Sequence, residues 1–106
     1  MEQVVIKEGV KIKYLTQPMV RLFKAVFDTG YEDPKPVITS VMDGSHMRGS
    51  RHYTGLAIDL RTNNLSEVQA SSWVERLKKN LGPNYDVILE RDHIHAEYDP
   101  KTKEIT

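Results

Sequence analysis

All four histidines of the 106-residue chain fall in two short stretches. His46 and His52 lie in SHMRGSRHYTGLAIDLRTN, residues 45–63, and His93 and His95 lie in ERDHIHAEYDP, residues 90–100. The same stretches carry Asp59, Glu90, Asp92 and Glu97. Imidazoles beside carboxylates are donors for a metal ion. The chain contains no cysteine, which removes the thiolate-rich structural zinc sites. In GLAIDL, Leu56, Ile58 and Leu60 alternate with Ala57, Asp59 and Arg61, a period of two that reads as a strand with Asp59 facing away from the apolar set. An inward aspartate in such a strand is costly without a strong partner, and a metal ion is one. His93, His95 and Glu97 likewise share one face of a strand, with Ile94, Ala96 and Tyr98 on the other. Two histidines and a carboxylate, with a fourth position left to water, form the ligand set of a catalytic zinc site rather than a closed structural one.

The chain resembles the D-alanyl-D-alanine carboxypeptidase and Hedgehog-type zinc peptidases, including small bacteriophage peptidoglycan peptidases. Ser50, Arg51, His52, Gly55, Ala57 and Asp59 match the family's S-x-H-x-x-G-x-A-x-D signature, and Asp92, His93, His95 and Glu97 match its [ED]-H-x-H-x-E signature. The resemblance runs at least from Thr39 to Pro100. It implies that His52, Asp59 and His95 hold zinc, that Asp92 is the general base with Glu90 as its rival, and that His93 supports the site from outside the ligand set. Strict alternation through residues 85–98 would put Asp92 on the face opposite His95, so a turn or bulge near Arg91 and Asp92 is expected. Relatives carry a substrate-orienting arginine in the strand before the first motif. Here Thr39, Ser40, Val41, Met42 and Asp43 contain none, which leaves Arg48 or Arg51 to substitute and Tyr53 to line the cleft. His46 reads as a solvated or supporting histidine.

The implied activity is zinc-dependent hydrolysis of an amide bond in the peptidoglycan stem peptide by metal-activated water, as a D,D-carboxypeptidase or an L-alanyl-D-glutamate type endopeptidase. The alternative is a zinc-bound recognition module of the same fold without turnover. A phosphoesterase built on paired H-x-[ST] motifs is excluded, because His93-Ile94-His95-Ala96 lacks both hydroxyls.

The elements that must position these residues fit one α+β domain over residues 1–106, an antiparallel sheet with two helices packed on it, and the resemblance implies the Hedgehog/DD-peptidase fold. Val4 to Ile6 and Val10 to Leu15 read as a hairpin or two edge strands. Thr16 caps a helix that runs to Gly30 with Met19, Phe23, Val26 and Phe27 as its stripe. Val37 to Met42 is a buried strand. Ser66 and Gln69 form a capping box, with Leu65 and Ala70 as its staple, for a second helix whose stripe is Ala70, Trp73, Leu77 and Leu81, stopped by Gly82 and Pro83. Tyr85 to Leu89 and Ile94 to Tyr98 close the sheet, and Lys101 to Thr106 reads as a disordered tail.

The composition is that of an ordinary globular domain, 39% hydrophobic and 28% charged, and fifteen basic residues balance fifteen acidic ones. Zero net charge argues for neither nucleic acid nor membrane as partner, and a monomer is expected. The first residues are too polar for a signal peptide. Synthesis in the cytoplasm is therefore expected, with release or delivery to the cell wall as a phage protein.

Overall fold

A computed structural model describes residues 3–31, 33–43 and 50–100. The candidate residues His46 and Arg48, and the tail from Lys101, lie outside the described residues. Among the described residues five strands and two helices form an α+β domain: β1 (Val5–Ile6), α1 (Gln17–Asp28), β2 (Val37–Ser40), β3 (Ala57–Arg61), α2 (Glu67–Leu81), β4 (Tyr85–Leu89) and β5 (His93–Tyr98). A single-turn 3-10 helix, Arg51–Thr54, sits between β2 and β3. The strand order is β1-β2-β3-β5-β4.

The sheet is mixed rather than wholly antiparallel. β1 runs parallel to β2 because α1 forms the crossover between them, whereas every other pairing is antiparallel. Val10 to Leu15, expected as the second half of a hairpin or as an edge strand, forms no strand. Its Lys11 amide donates to the Asp43 carboxylate at 3.1 Å, and its Lys11 carbonyl accepts from Met42 N–H at 3.0 Å. Asp43 also takes the Val41 amide at 3.0 Å, so the chain bends after Ser40 and β2 stops two residues short of Met42.

Thr16 caps α1 by accepting from the Met19 amide at 3.0 Å, and Pro18 occupies the first turn, where it costs no hydrogen bond. The buried face of α1 is Met19, Leu22, Ala25 and Val26. Phe23 is only partly buried and Phe27 is 46% exposed, so the stripe is turned by about one residue from the expected one. The capping box of α2 forms as its sequence suggests, with Ser66 Oγ accepting from Gln69 N at 3.1 Å and Gln69 Oε1 accepting from Ser66 N at 2.9 Å. Ala70, Trp73, Val74, Leu77 and Leu81 are its buried face.

Period-two alternation then divides the sheet into two unlike surfaces. Ile38, Ile58, Leu60, Val87, Ile94 and Ala96 join the buried residues of α1 and α2 in one core. The cross-strand pairs Asp59↔His95 and Arg61↔His93 project from the opposite face. Among the described residues no helix is long and apolar enough to cross a membrane.

Candidate metal centre

Three elements converge on the polar face. β3 presents Asp59 and its antiparallel neighbour β5 presents His95 directly across from it. The single-turn helix lays His52 over both. That turn is held at its start by Ser50, whose hydroxyl accepts from the His52 amide at 3.2 Å. At its end Gly55 has φ 69°, a left-handed conformation that favours glycine, and donates to the carbonyls of Arg51 and His52. A Cβ at Gly55 would lie 2.9 Å from Met19 Cε, and the Gly55 carbonyl accepts from Thr16 Oγ1 at 2.7 Å. The same hydroxyl that caps α1 therefore pins the turn carrying His52. His52 is 2% exposed.

The side chains meet through His52 Nε2, Asp59 Oδ1 and His95 Nδ1. The three separations are 3.1 Å (His52 to Asp59), 3.0 Å (His95 to Asp59) and 3.2 Å (His52 to His95). A tetrahedral ion with nitrogen and oxygen ligands at about 2.0–2.2 Å sets its ligand atoms roughly 3.3–3.6 Å apart. The triangle is nearly equilateral and slightly smaller than that face. The arrangement can hold a metal ion.

The outer nitrogens decide which atoms face inward. His52 Nδ1 lies 2.9 Å from the Val41 carbonyl, which can only accept, so Nδ1 carries the hydrogen. His95 Nε2 lies 2.7 Å from Glu97 Oε1 and likewise donates. In the neutral imidazoles, Nε2 of His52 and Nδ1 of His95 therefore carry bare lone pairs aimed at the Asp59 oxygen. Three lone pairs within 3.2 Å repel one another unless a cation joins them. A proton is the smallest such cation. The hydrogen bond to Asp59 is the main cause that raises His95 from 6.5 to about 9, against the opposing effect of burial and with further help from Glu97. For Asp59 itself burial pushes the carboxyl up, but the hydrogen bonds from His52 and His95 together outweigh it and hold it well below the usual carboxylate range.

β4 and β5 are joined by a tight reversal at Arg91 and Asp92, with Glu90 N–H donating to the His93 carbonyl at 2.8 Å. This reversal is the irregularity expected near Arg91 and Asp92 from strand parity. It brings Asp92 to the edge of the polar face, where its Oδ1 lies 2.6 Å from His93 Nδ1 and its side chain is 84% exposed. The hydrogen bond from His93 is the main cause that lowers its pKa. His93 Nε2 in turn comes within 3.6 Å of Asp59 Oδ1. Asp59, Asp92 and His93 line a polar cavity of about 260 Å3 together with Lys7, Thr39, Arg61 and Asn63. Glu90 is exposed and joins the reversal through its main-chain amide.

Arg51 is held between two carboxylates. Its guanidinium meets Glu97 at 3.2 Å and Asp99 at 3.0 Å. It fills the acidic group that Glu97 and Asp99 form with Asp86. Tyr53 is 42% exposed on the outside of the single turn. Sequence patterns gave no sign of the Val41 carbonyl, which acts through the main chain. Glu97 carried a sign, since it lies two residues from His95 on the same strand face. Lys7 and Arg61 stood in no motif. The chain matches no protein-family model, and no curated protein gives a significant match to it.

Proposed function

We propose that the chain is a zinc-dependent peptidase of the Hedgehog/DD-peptidase fold that hydrolyses an amide bond in the peptidoglycan stem peptide. The observation that carries the reading is the convergence of His52 Nε2, Asp59 Oδ1 and His95 Nδ1, with both imidazoles fixed so that only a cation relieves their lone pairs. The two sequence motifs containing these residues support it, as does the mixed set of two nitrogens and one oxygen, which suits zinc and leaves a fourth position open. Zinc bound there would acidify its water and polarise the scissile carbonyl.

The protein's own groups divide the remaining work. Val41 and Glu97 hold the two imidazoles in one tautomer. Asp92 lines the same cavity as Asp59 and is the carboxylate available to take a proton from the attacking water and return it to the leaving amine. His93 orients it through the 2.6 Å contact. A cell-wall substrate would be met after release or delivery, as for a phage lysis protein.

Elemental analysis of purified protein, followed by digestion of purified peptidoglycan with mass spectrometry of the fragments, tests the reading. About one zinc per chain and a chelator-sensitive cut are expected, and the fragments name the bond. Asp92→Asn is expected to keep its zinc and lose about 100- to 10,000-fold in turnover, with Glu90→Gln close to wild type. Zinc without any cut would give the recognition module instead, and the absence of bound metal would refute the site.

A further inference from the structure

We propose that the outer edge of β4 is a self-association surface, at which a second copy of this chain pairs antiparallel with it and joins the two five-stranded sheets into one. The pairing does not depend on the peptidase reading, and it stands against the monomer expected from the sequence.

β4 closes one side of the sheet, and among the described residues its only strand partner is β5. The hydrogen bonds at its two ends fix which main-chain groups it leaves open. Glu90 N–H donates to the His93 carbonyl at 2.8 Å, and Asp99 N–H donates to the Asn84 carbonyl at 2.8 Å. Antiparallel pairs alternate between bonded and unbonded. In the unbroken register from Tyr85↔Tyr98 to Leu89↔Ile94, Asp86 and Ile88 therefore turn their amides and carbonyls toward β5. Tyr85, Val87 and Leu89 turn theirs to the open edge. The Tyr85 amide is taken by the Gly82 carbonyl at 3.3 Å, whereas the amides of Val87 and Leu89 and the carbonyls of Tyr85, Val87 and Leu89 have no main-chain partner among the described residues.

An open edge recruits another strand unless it is guarded. Lysine, proline and bulges are common guards, and Tyr85–Leu89 contains none of them. It exposes Ile88 (47%) and Leu89 (44%) instead. β1, on the other side of the sheet, is only 2 residues long. The occupant is a second copy because β4 complements itself. A dyad through Val87 sets Val87 against Val87, and Leu89 against Tyr85 of the second copy, and forms about four main-chain hydrogen bonds from the open groups. It places Asp86 opposite Ile88. A dyad through Ile88 would set Asp86 against Glu90, and like charges directly opposite repel. Leu89 of the second copy then covers the groove of about 640 Å3 that Lys79, Gly82, Pro83 and Tyr85 help to line beside β4. The ends also match in charge. Glu90 and Asp92 stand at the reversal after β4, and Lys78 and Lys79 stand at the end of α2 before it, so antiparallel pairing brings each acidic end to the other copy's basic end. The dyad is perpendicular to the sheet, and the polar faces of both copies look to the same side.

The experiment is sedimentation velocity of the purified chain, in chelator and with zinc, from about 10 μM to about 1 mM. A reversible monomer–dimer equilibrium within that range is expected, because an edge pairing of this length belongs to the small, weak class of interfaces. Leu89→Pro removes an outward amide, spares every bond to β5 and stays apolar. It is expected to weaken dimerisation about tenfold or more, whereas Leu89→Ala, which keeps the amide, weakens it less. Far-UV circular dichroism and a thermal melt establish that the Leu89→Pro protein is folded. Where it is not, Ile88→Glu and Ile88→Lys decide, with Ile88→Glu expected to weaken the dimer about threefold more than Ile88→Lys, because position 88 faces Asp86 of the second copy. A chain that stays monomeric to about 1 mM overturns the inference. So do a folded Leu89→Pro protein that dimerises like the wild type, equal dimerisation by the two Ile88 variants, and growth past the dimer, since a two-fold pairing closes at two.

Discussion

Loading the centre with a divalent metal at pH 7 is expected to release about one proton per ion. In the metal-free protein a proton between His95 and Asp59 would reconcile the three lone pairs, and the hydrogen bond to Asp59 is the main cause that raises the His95 pKa to about 9. At pH 7 such a group is roughly 99% protonated, whereas an ordinary imidazole at about 6.5 is protonated in roughly a quarter of molecules. The metal must displace that proton, because it needs the bare Nδ1. Displacement costs about 2.7 kcal/mol at pH 7, so apparent affinity should rise about tenfold for each pH unit until pH approaches 9. Calorimetry of cadmium binding in buffers of different ionisation enthalpy reads the proton count directly. Cadmium is preferred to zinc for this because its bound water is less acidic and adds fewer protons of its own. Asp59→Asn, which removes the main cause of the raised pKa, should lower both the metal affinity and the proton count. Release of only about a quarter of a proton, with affinity levelling off above pH 6.5, would refute the shared-proton account of the cluster.

Three further outcomes follow from the same geometry. In chelator, the raised pKa of His95 contributes stability that is complete below its unfolded value of 6.5 and is lost as pH rises through about 9, while the depressed pKa of Asp59 contributes above 3.8 and is lost as pH falls below it. Thermal melts of the metal-free protein should therefore be highest between about pH 4 and 6.5 and decline toward pH 9, by at most about 3 kcal/mol, and a flat profile across that range counts against the His95–Asp59 bond. Glu97→Gln keeps an acceptor near His95 but loses the charge that holds both Nε2–H and Arg51. Metal affinity should fall about 10- to 100-fold, measured by competition with a chromophoric chelator. Thr16→Val removes the cap of α1 and the tether to Gly55 together. A loss of about 1–2 kcal/mol in urea denaturation is expected, accompanied by weaker metal binding because the displaced turn carries His52.

The parts of the site legible in the sequence were those set by local spacing. Asp59 and His95 each occupy one parity of a strand, and the capping box of α2 lies within four residues, so side-chain types alone expose them. The parity conflict at Asp92 was also legible, and its resolution at Arg91 and Asp92 came from the reversal between β4 and β5. The features that stayed hidden depend on contacts distant in sequence. Pairing of β1 with β2 spans the whole of α1, and Val10 to Leu15 lost its strand because Asp43, some thirty residues on, captured the Lys11 amide. The ion pairs of Arg51 also stayed hidden, because its partners Glu97 and Asp99 lie far along the chain. The turned stripe of α1 has a similar origin. Both Phe23 and Phe27 are apolar, yet the sheet beneath the helix admits Leu22 and Ala25 in their place.

The two imidazoles differ in how their orientation is encoded. His52 is aligned by a backbone carbonyl, which every amino acid at position 41 would supply, so drift at that position leaves the ring's hydrogen where it is provided the chain keeps its path. His95 is aligned by a side chain, and a single base change in the codon for Glu97 can remove its partner. Over evolutionary time one half of the centre is thus insured by the polypeptide itself, and the other is open to tuning. Variation in metal affinity among diverging copies of such a protein should therefore accumulate at position 97 and its support at 51 and 99, and seldom at position 41.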